Sequence, residues 1–322
     1  MLLSVIIPVY NNHLALINCL RSFSLADKLL RDTEFVIVDD GSDPPVNNYL
    51  SDIHSLNNPN LQIIRTPHNG AAAARNTGII HARADFVWFF DADDCVNPSH
   101  FERMTVLLKN SPKHLDILHT GAMLSNGSAA TNPSNEGCKE TNESQLIRIS
   151  LQELFVPKTA YLDHTTYIFK RSLLANNSHL RYPAHLILED SLFLLLVLDN
   201  SLSLFCDNSL HPYIRNNFSS TAGAWSDAKS ALLIPDICFF FNSFNTFLLE
   251  HNEITRGDHC YRRLRYVYMR VLCVKGCPWS LIQDFRSASF HNRPYKTLKE
   301  KILFCKPFGR VLAFTCRLLR KK

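Results

Sequence analysis

The sequence predicts a doubly wound α/β fold for its first part, on three observations. Short apolar segments alternate with segments of helical spacing over residues 1–120, and polar clusters directly follow three of the apolar segments. No apolar segment reaches the roughly 18 residues that a membrane span needs. The composition, 46% hydrophobic and 20% charged, is that of a folded protein and excludes a disordered chain.

Apolar runs predict the strands of this first part, and helical spacing predicts its helices. The predicted strands are Leu3–Val9, Glu34–Val38, Leu61–Arg65, Phe86–Phe90 and Leu115–Thr120. The predicted helices are His13–Leu25, Val46–Leu56, Ala71–Arg83 and Pro98–Lys109. Strands that alternate with helices favour parallel pairing, and ligands of such sheets bind at the carboxyl ends of the strands. We therefore expect the polar clusters to share one crevice.

The second part is less regular. Residues 124–145 are rich in Ser, Asn, Gly and Thr, which indicates a long loop of the kind that often closes over a crevice. Further predicted elements are the strands Thr165–Phe169, Leu202–Cys206 and His211–Arg215 and the helix Glu189–Leu198. We expect one domain over residues 1–220, with halves 1–120 and 121–220, and a mainly helical region over 221–322.

Three carboxylates lie within four residues after the fourth predicted strand, at Asp91, Asp93 and Asp94. They repel one another unless a cation compensates their charge, and Mg²⁺ commonly joins one or two carboxylates to substrate phosphates. The cluster indicates a Mg²⁺ or Mn²⁺ site for a phosphorylated ligand. The alternative is a solvated acidic turn before the helix that begins at Pro98.

A second acidic pair, Asp39 and Asp40, follows the second predicted strand and precedes Gly41. A carboxylate accepts hydrogen bonds from a base imide or from ribose hydroxyls, and glycine permits a close approach or a positive φ. The pair indicates a nucleoside site, or, alternatively, an ordinary turn, because Asp-Gly is common in turns.

Small residues open the third predicted helix, in the segment Asn69–Asn76. A helix N-terminus favours phosphate, and Arg75 lies one turn into the helix, within reach of a diphosphate. The alternative is a helix that packs closely on the sheet.

The pair Glu189 and Asp190 opens an apolar helix. One interpretation is a general base that deprotonates an acceptor hydroxyl. The other is stabilisation of the helix N-terminus by acidic side chains.

In this order, the motifs resemble those of family 2 glycosyltransferases, which have the GT-A fold. The resemblance covers roughly residues 3–220 and is carried by Ser4–Asn11, Glu34–Ser42, Asn69–Ile79, Phe89–Asp94, Leu180–Tyr182, Glu189–Phe193 and Tyr213–Arg215. It departs from the family at Asp43, where Thr is usual, and at Ala84-Asp85, where a Gly is usual. Residues 221–322 show no family pattern.

The resemblance implies a role for each motif residue. The nucleobase, usually uracil, would be held by Pro8, Val9, Tyr10 and Asp40, and Asp39 would support that turn. Arg75 would lie near the diphosphate, and the ribose and a Mn²⁺ or Mg²⁺ ion would be bound by Asp91 and Asp93, joined by Asp94. The catalytic base would be Asp190, supported by Glu189.

The family resemblance also implies a reaction. It implies an inverting transfer of a sugar from a nucleotide sugar, most often a UDP-hexose, to a hydroxyl of a bacterial surface glycan such as lipopolysaccharide core, O-antigen or capsule. Two alternatives are a non-catalytic module that binds a nucleotide sugar, and a phosphatase of the haloacid dehalogenase type. The phosphatase family places its Asp-x-Asp motif on the first strand and follows it with Thr or Val, whereas Cys95 follows here.

The charge is unevenly distributed along the chain. The net charge of +5 combines −8 over residues 1–256 with +13 over residues 257–322. The segment Lys296–Lys322 alternates basic and apolar residues, which is typical of a helix that lies on an anionic membrane surface. An ordinary terminal helix is the alternative, and nucleic acid is disfavoured as a partner because no nucleic-acid-binding module accompanies the basic residues.

The remaining features concern the compartment. No secretory signal is recognised at the start of the sequence, and no two of the ten cysteines are spaced as CxxC, so we expect reduced thiols. Together with the basic segment, this predicts a cytoplasmic protein held peripherally on the cytoplasmic face of the inner membrane, where its acceptor would be lipid-linked.

Overall fold

The computed structural model describes residues 1–25, 27–49, 60–124, 146–154, 162–184, 188–207, 209–216 and 234–251. The predictions for most of the 124–145 loop, for the second half of the Val46–Leu56 helix and for the basic segment Lys296–Lys322 lie outside the described residues. The chain divides into two compact units. The first unit comprises Met1–Leu154, Lys158–His185 and Glu189–Phe218, and the second comprises Phe155–Pro157, Leu186–Leu188 and Ser219–Lys322.

The described elements alternate between strand and helix for much of the first unit. The strands are β1 (Leu3–Val9), β2 (Thr33–Asp39), β3 (Leu61–Arg65), β4 (Phe86–Phe89), β5 (Cys95–Val96), β6 (Ile117–His119), β7 (Ala122–Leu124), β8 (Ile147–Ile149), β9 (Tyr167–Lys170), β10 (Leu204–Cys206) and β11 (Tyr213–Arg215). The α-helices are α1 (His13–Ser24), α2 (Ala71–His81), α3 (Pro98–Lys109), α4 (Leu151–Leu154), α5 (Arg171–Asn176), α6 (Glu189–Asp199) and, in the second unit, α7 (Ile234–Glu250). Short 3₁₀ turns cover Asp27–Asp32, Val46–Tyr49 and His164–Thr166.

Eight strands form the main sheet in the order β3-β2-β1-β4-β9-β6-β10-β8. The expected parallel pairing is found for the first four strands of this order. It is wrong for β9, which lies between β4 and β6 and runs antiparallel to both, and for β8, which is antiparallel to β10, whereas β6 and β10 pair in parallel. Hydrophobic alternation reports that a strand is buried but not which neighbour it pairs with, so the inserted strand leaves no signal in the sequence. The result is the mixed sheet that the GT-A prediction requires.

Helices cover both faces of the sheet. On one face, α1 and α3 pack through Phe23 and Phe101 against Trp88 of β4. On the other face, Phe193 of α6 packs against Phe89 of β4, and α2 lies so close to β1 that a Cβ on Gly78 would meet Ile6. The central strands β1, β2 and β4 are therefore buried on both sides, as near-continuous apolar runs indicate.

Two further features do not belong to the main sheet. The strands β5, β11 and β7 form a small second sheet that follows the Asp91–Asp94 segment. In the second unit, α7 is the one described helix of the predicted helical region, and its Phe240, Phe241 and Phe244 are buried. Over the described residues, no helix combines the length and the apolar character needed to cross a membrane. The four cysteines among the described residues, Cys19, Cys95, Cys206 and Cys238, are thiols rather than disulfide partners.

Candidate active site

The carboxyl ends of β1 and β2 meet, as the sheet order dictates. Val9 and Asp39 are register partners, and the Asp40 N–H donates to the Val9 carbonyl at 2.9 Å. The Asp39 carboxylate is buried and accepts from the Ser42 N–H at 2.8 Å and the Val46 N–H at 3.1 Å. Burial alone would raise the pKa of Asp39, but these hydrogen bonds and the charge of Arg65 lower it. Asp39 thus holds the turn after β2 together.

The Asp40 carboxylate joins β2 to the start of α2. It accepts from the backbone N–H groups of Asn69 and Gly70, each at 2.9 Å, and one of its oxygens lies 2.8 Å from His68 Nδ1. Gly70 has φ +89° just before the helix, a conformation that side chains disfavour. Asp40 therefore fixes the turn that brings α2, and with it Arg75, to this edge of the sheet.

Tyr10 and Pro8 lie at the end of β1. The Tyr10 ring is 48% exposed and carries the His68 ring stacked on its face, with 3.9 Å between the ring centroids. Pro8 pairs in register with Val38 beside Asp39 and Asp40. The four residues expected to hold a nucleobase therefore share one edge, with one exposed aromatic face among them.

Arg75, near the start of α2, links the Asp91–Asp94 cluster to the second half of the chain. Its buried guanidinium donates to Asp91 Oδ1 at 3.0 Å and to Glu189 Oε1 at 3.1 Å, and it lies 5.4 Å from the ring centre of Tyr182. Burial opposes the charge, but Asp91, Tyr182 and Glu189 outweigh it and raise the pKa of Arg75. This one side chain brings the Asp91 cluster and the Glu189-Asp190 pair together.

The three carboxylates after β4 are in different environments. Burial, followed by the charge of Asp91, raises the pKa of Asp93. Asp94 is 4% exposed, and both of its oxygens accept hydrogen bonds, one from the Tyr213 hydroxyl and the other from the Asn216 N–H. Burial raises the pKa of Asp94 to about 6 even though these bonds lower it. Asp94 is thus bound to the small sheet, while Asp93 lacks such partners among the contacts of the described residues.

The donor set around Asp91 and Asp93 fits a hard divalent cation. Both side chains offer carboxylate oxygens, and the pKa of Asp93 is raised by burial and then by the charge of Asp91, a repulsion that a cation would relieve. Within the described ranges, no three His, Cys, Asp or Glu side chains converge into a metal cage. The arrangement therefore suits an ion that shares two carboxylates with ligand phosphates, as Mg²⁺ commonly does.

Glu189 and Asp190 are neighbours, yet their carboxyl groups differ. Burial and then the charge of Asp190 raise the pKa of Glu189, despite Arg75. Burial would also raise the pKa of Asp190, but the charge and proximity of His164, the Ser191 N–H at 2.7 Å and the charge of Arg75 lower it. Asp190 is thus the member of the pair whose surroundings favour the ionised form, the state that a general base requires.

Three side chains in this site carry no role in the sequence-based interpretation. They are His68, His164 and Tyr182. His164 lies in a 3₁₀ turn and Tyr182 in irregular chain, so no periodicity marks either one. Arg75 Nε, both ring nitrogens of His164 and the Tyr182 hydroxyl are buried and have no hydrogen-bond partner among the described residues. Several buried polar atoms that lie together without hydrogen-bond partners indicate a ligand site.

The comparison with protein families identifies the class. Residues 4–175 match the model of glycosyl transferase family 2. The chain therefore belongs to glycosyl transferase family 2, which confirms the resemblance. Membership also removes the phosphatase alternative, whose motif lies on a different strand.

Three curated relatives are similar over about a third of the chain. The uncharacterized glycosyltransferase EpsJ of Bacillus subtilis is 32% identical over 120 residues, 37% of this chain and 33% of that protein. The uncharacterized glycosyltransferase YibD of Escherichia coli is 35% identical over 122 residues, 37% of this chain and 33% of that protein. The succinoglycan biosynthesis protein ExoW of Rhizobium meliloti is 32% identical over 100 residues, 30% of this chain and 31% of that protein. The matches span about a third of the length of these relatives.

Solved structures agree in fold. TarS 1-349 of S. aureus in complex with UDP-GlcNAc superposes with a TM-score of 0.60 at 18% identity, over 98% of this chain and 89% of that one. The mannosyltransferase PcManGT of Pyrobaculum calidifontis, in complex with GDP-Man and Mn²⁺, gives a TM-score of 0.53 at 14% identity, over 99% and 88% of the two chains. The predicted GT-A fold is confirmed.

Proposed function

We propose that this chain is an inverting glycosyltransferase that moves a hexose from a UDP-sugar to an acceptor hydroxyl. One observation carries the proposal: buried Arg75 joins Asp91, after β4, to Glu189, next to Asp190. The arrangement puts a cation for phosphate, a pair of candidate metal ligands and a candidate base at the same edge of the sheet.

The chemistry follows from these positions. The Asp190 carboxylate accepts the proton of the acceptor hydroxyl, and the oxygen attacks C1 of the sugar as the bond from C1 to the diphosphate breaks. A single displacement of this kind inverts the anomeric centre and needs no nucleophile from the protein. Arg75 is proposed to neutralise charge on the departing diphosphate. A Mn²⁺ or Mg²⁺ ion bound by Asp91 and Asp93 would supply Lewis-acid stabilisation of the same charge.

The nucleotide is proposed as UDP from the edge formed by Pro8, Val9, Tyr10 and Asp40. Tyr10 is a half-exposed aromatic ring on which a base could stack in place of His68, and the buried Asp40 carboxylate, which His68 contacts, lies beside it. The complex of TarS with UDP-GlcNAc, a protein of the same fold, supports this choice of nucleotide.

The acceptor is proposed to be a lipid-linked bacterial surface glycan, of the lipopolysaccharide core, O-antigen or capsule type. The similarity to a succinoglycan biosynthesis protein supports a polysaccharide product. The 13 excess positive charges of residues 257–322 support attachment to the cytoplasmic face of the inner membrane. Removal of residues 296–322 is expected to weaken binding to anionic liposomes, and equal sedimentation of both forms would contradict the attachment.

A donor screen tests the proposed reaction. The full chain with MnCl₂ is offered UDP-glucose, UDP-galactose and their N-acetyl forms, UDP release is measured, and the anomeric configuration of the product is determined by NMR. Asp190→Asn should bind UDP like the wild type and lose transfer. Glu189→Gln is the matched control, because it removes the neighbouring carboxyl group and leaves Asp190 in place. Wild-type turnover by Asp190→Asn would refute the assignment of the base.

The same protein and donor sugars, together with UDP, distinguish an enzyme from a binding module. A thermal shift with UDP that is identical with and without Mn²⁺, together with no UDP release from any donor, would favour a module that binds nucleotide without catalysis.

A further inference from the structure

A buried histidine lies beside the proposed base. His164 is 3% exposed and begins the 3₁₀ turn before β9. Its ring makes edge contacts with Phe89 and Tyr182, whose centroids lie 5.9 and 5.6 Å away. Its Nδ1 lies 3.8 Å from Asp190 Oδ2, whereas neither ring nitrogen has a hydrogen-bond partner among the described residues.

An imidazole always carries at least one N–H, and burying that donor without a partner costs free energy. The two aromatic rings offer no strong acceptor, so the Asp190 carboxylate is the polar group that the ring faces. A movement of less than 1 Å brings the Nδ1–Oδ2 distance to that of a hydrogen bond. Distances at catalytic groups are often long without substrate and shorten in the complex.

We propose that His164 is a positioning residue that acts through Asp190. Its Nδ1–H orients Oδ2 and favours the ionised form of Asp190, while Oδ1, which accepts from the Ser191 N–H, keeps a second lone pair for the acceptor hydroxyl. The proton of that hydroxyl moves to Asp190, and His164 keeps its own proton throughout. The inference rests on the proposed function, because it assigns His164 to the proposed base.

The charges around His164 favour this arrangement. Asp190 and Glu189 face it from α6, Arg75 reaches the cluster from α2, and Asp91 follows β4. Asp163 precedes His164 but is paired with Arg215. Of the two carboxyl groups on α6, the one next to His164 has the lowered pKa and the other has the raised pKa, which agrees with a specific interaction with Asp190.

Two conservative substitutions distinguish positioning from packing. The side-chain amide nitrogen of Asn can take the place of Nδ1, whereas that of Gln takes the place of Nε2. With the donor found in the screen, His164→Asn should keep kcat within roughly threefold of the wild type, and His164→Gln should lower it roughly 10- to 100-fold, at an unchanged donor KM. The acid limb of the kcat/KM profile should move to higher pH in His164→Gln only. Equal kinetics of the two variants, or a loss confined to KM, would overturn the proposal.

A titration without substrate tests the same contact independently of catalysis. In the full chain with selectively ¹³C-labelled aspartate and chelator, the Asp190 carboxyl resonance is assigned by its absence from Asp190→Asn. Its titration midpoint should rise in His164→Gln, by a factor of roughly ten in proton affinity, and stay near the wild-type midpoint in His164→Asn. An unchanged midpoint in both variants would refute the contact.

The reciprocal measurement leaves His164 in place. Asp190→Asn should change the ring ¹⁵N shifts of His164, because the carboxylate that selects the proton on Nδ1 is gone. Identical shifts would again refute the contact. If the wild type releases no UDP from any donor, the proposed function fails, and the titrations still decide whether His164 and Asp190 interact.

Discussion

The His68 ring lies flat on the ring of Tyr10, with 3.9 Å between the centroids and 14° between the planes. The same ring places Nδ1 2.8 Å from the Asp40 carboxylate. Tyr10 and Asp40 are two of the four residues proposed to hold the nucleobase. His68 therefore occupies the stacking face and the hydrogen-bonding group that the base would use, and a side chain that is 52% exposed has room to turn away from them.

The first prediction follows from this competition. His68→Ala should tighten UDP binding roughly 2- to 10-fold, because a stacked aromatic pair worth about 0.5–1.5 kcal/mol no longer has to separate. Isothermal titration calorimetry with UDP and Mn²⁺ measures the change. His68→Phe, which can keep the stack and loses the bond to Asp40, is the matched control and should gain less. Weaker binding by His68→Ala would mean that His68 holds the base itself.

The second prediction separates the neighbouring carboxylates. Asp93→Ala should abolish the part of UDP affinity that depends on Mn²⁺, a loss of at least roughly tenfold, because Asp93 is a proposed metal ligand. Asp94→Asn should keep that part, since both Asp94 oxygens already accept bonds from Tyr213 and Asn216. The measurement is UDP affinity with Mn²⁺ and with chelator. A larger loss in Asp94→Asn than in Asp93→Ala would reverse the assignment.

The sequence predicted the parts of the fold that depend on local patterns. The bounds of β1, β3 and α3 agree with the predicted segments, because each has a clear apolar run or helical spacing with polar residues at its ends. The sequence did not predict that β9 lies between β4 and β6, because strand order depends on contacts between distant segments. The two-residue strand β5 and the short strands β7 and β8 are too brief to show a period.

In the candidate site too, the sequence predicted features that depend on local patterns and missed contacts between distant side chains. Motif residues such as Asp40 and Asp91 were found because they directly follow strands, where a parallel sheet gathers ligand groups. Their partners in the structure were not predicted, because the contact of His68 with Asp40 and the hydrogen bond from Arg75 to Asp91 depend on side-chain geometry. His164 was missed because its proximity to Asp190 joins segments 26 residues apart and rests on a turn without periodicity.

The third prediction concerns acid stability. His119 is mostly buried at the end of β6, and burial lowers its pKa to about 4. The folded protein keeps His119 neutral, whereas the unfolded chain binds a proton near pH 6.5, so stability is lost as pH falls from about 6.5 towards 4. His119→Gln should remove this contribution, and urea unfolding should show a smaller loss of stability between pH 7.5 and pH 5, by about 2 kcal/mol at most.

The matched control for this prediction is His81→Gln at the exposed end of α2. It should leave the difference in unfolding free energy between the two pH values unchanged. A His119→Gln variant with the wild-type dependence on pH would show that His119 takes up its proton in the folded protein as readily as in the unfolded chain.

The fourth prediction tests the close approach of α2 to β1, which holds Arg75 in place. A Cβ added to Gly78 would lie 2.3 Å from Ile6 Cγ2, far inside van der Waals contact, and Ile6 is itself fully buried. Gly78→Ala should therefore destabilise the fold by about 1–2 kcal/mol, since overpacking costs about 1–3 kcal/mol and the higher helix propensity of alanine returns up to about 1 kcal/mol. Urea unfolding monitored by circular dichroism measures the change.

A double-variant cycle decides whether this contact is the cause. Ile6→Ala removes the methyl group that the new Cβ would meet, at a cost of about 2–5 kcal/mol for the cavity. In the double variant, the alanine at position 78 extends into that cavity, so the combined loss should be smaller than the two separate losses by about 0.5–3 kcal/mol. Additive losses would mean that Gly78 is needed for a reason other than its distance from Ile6, and the position of Arg75 would then depend on other contacts of α2.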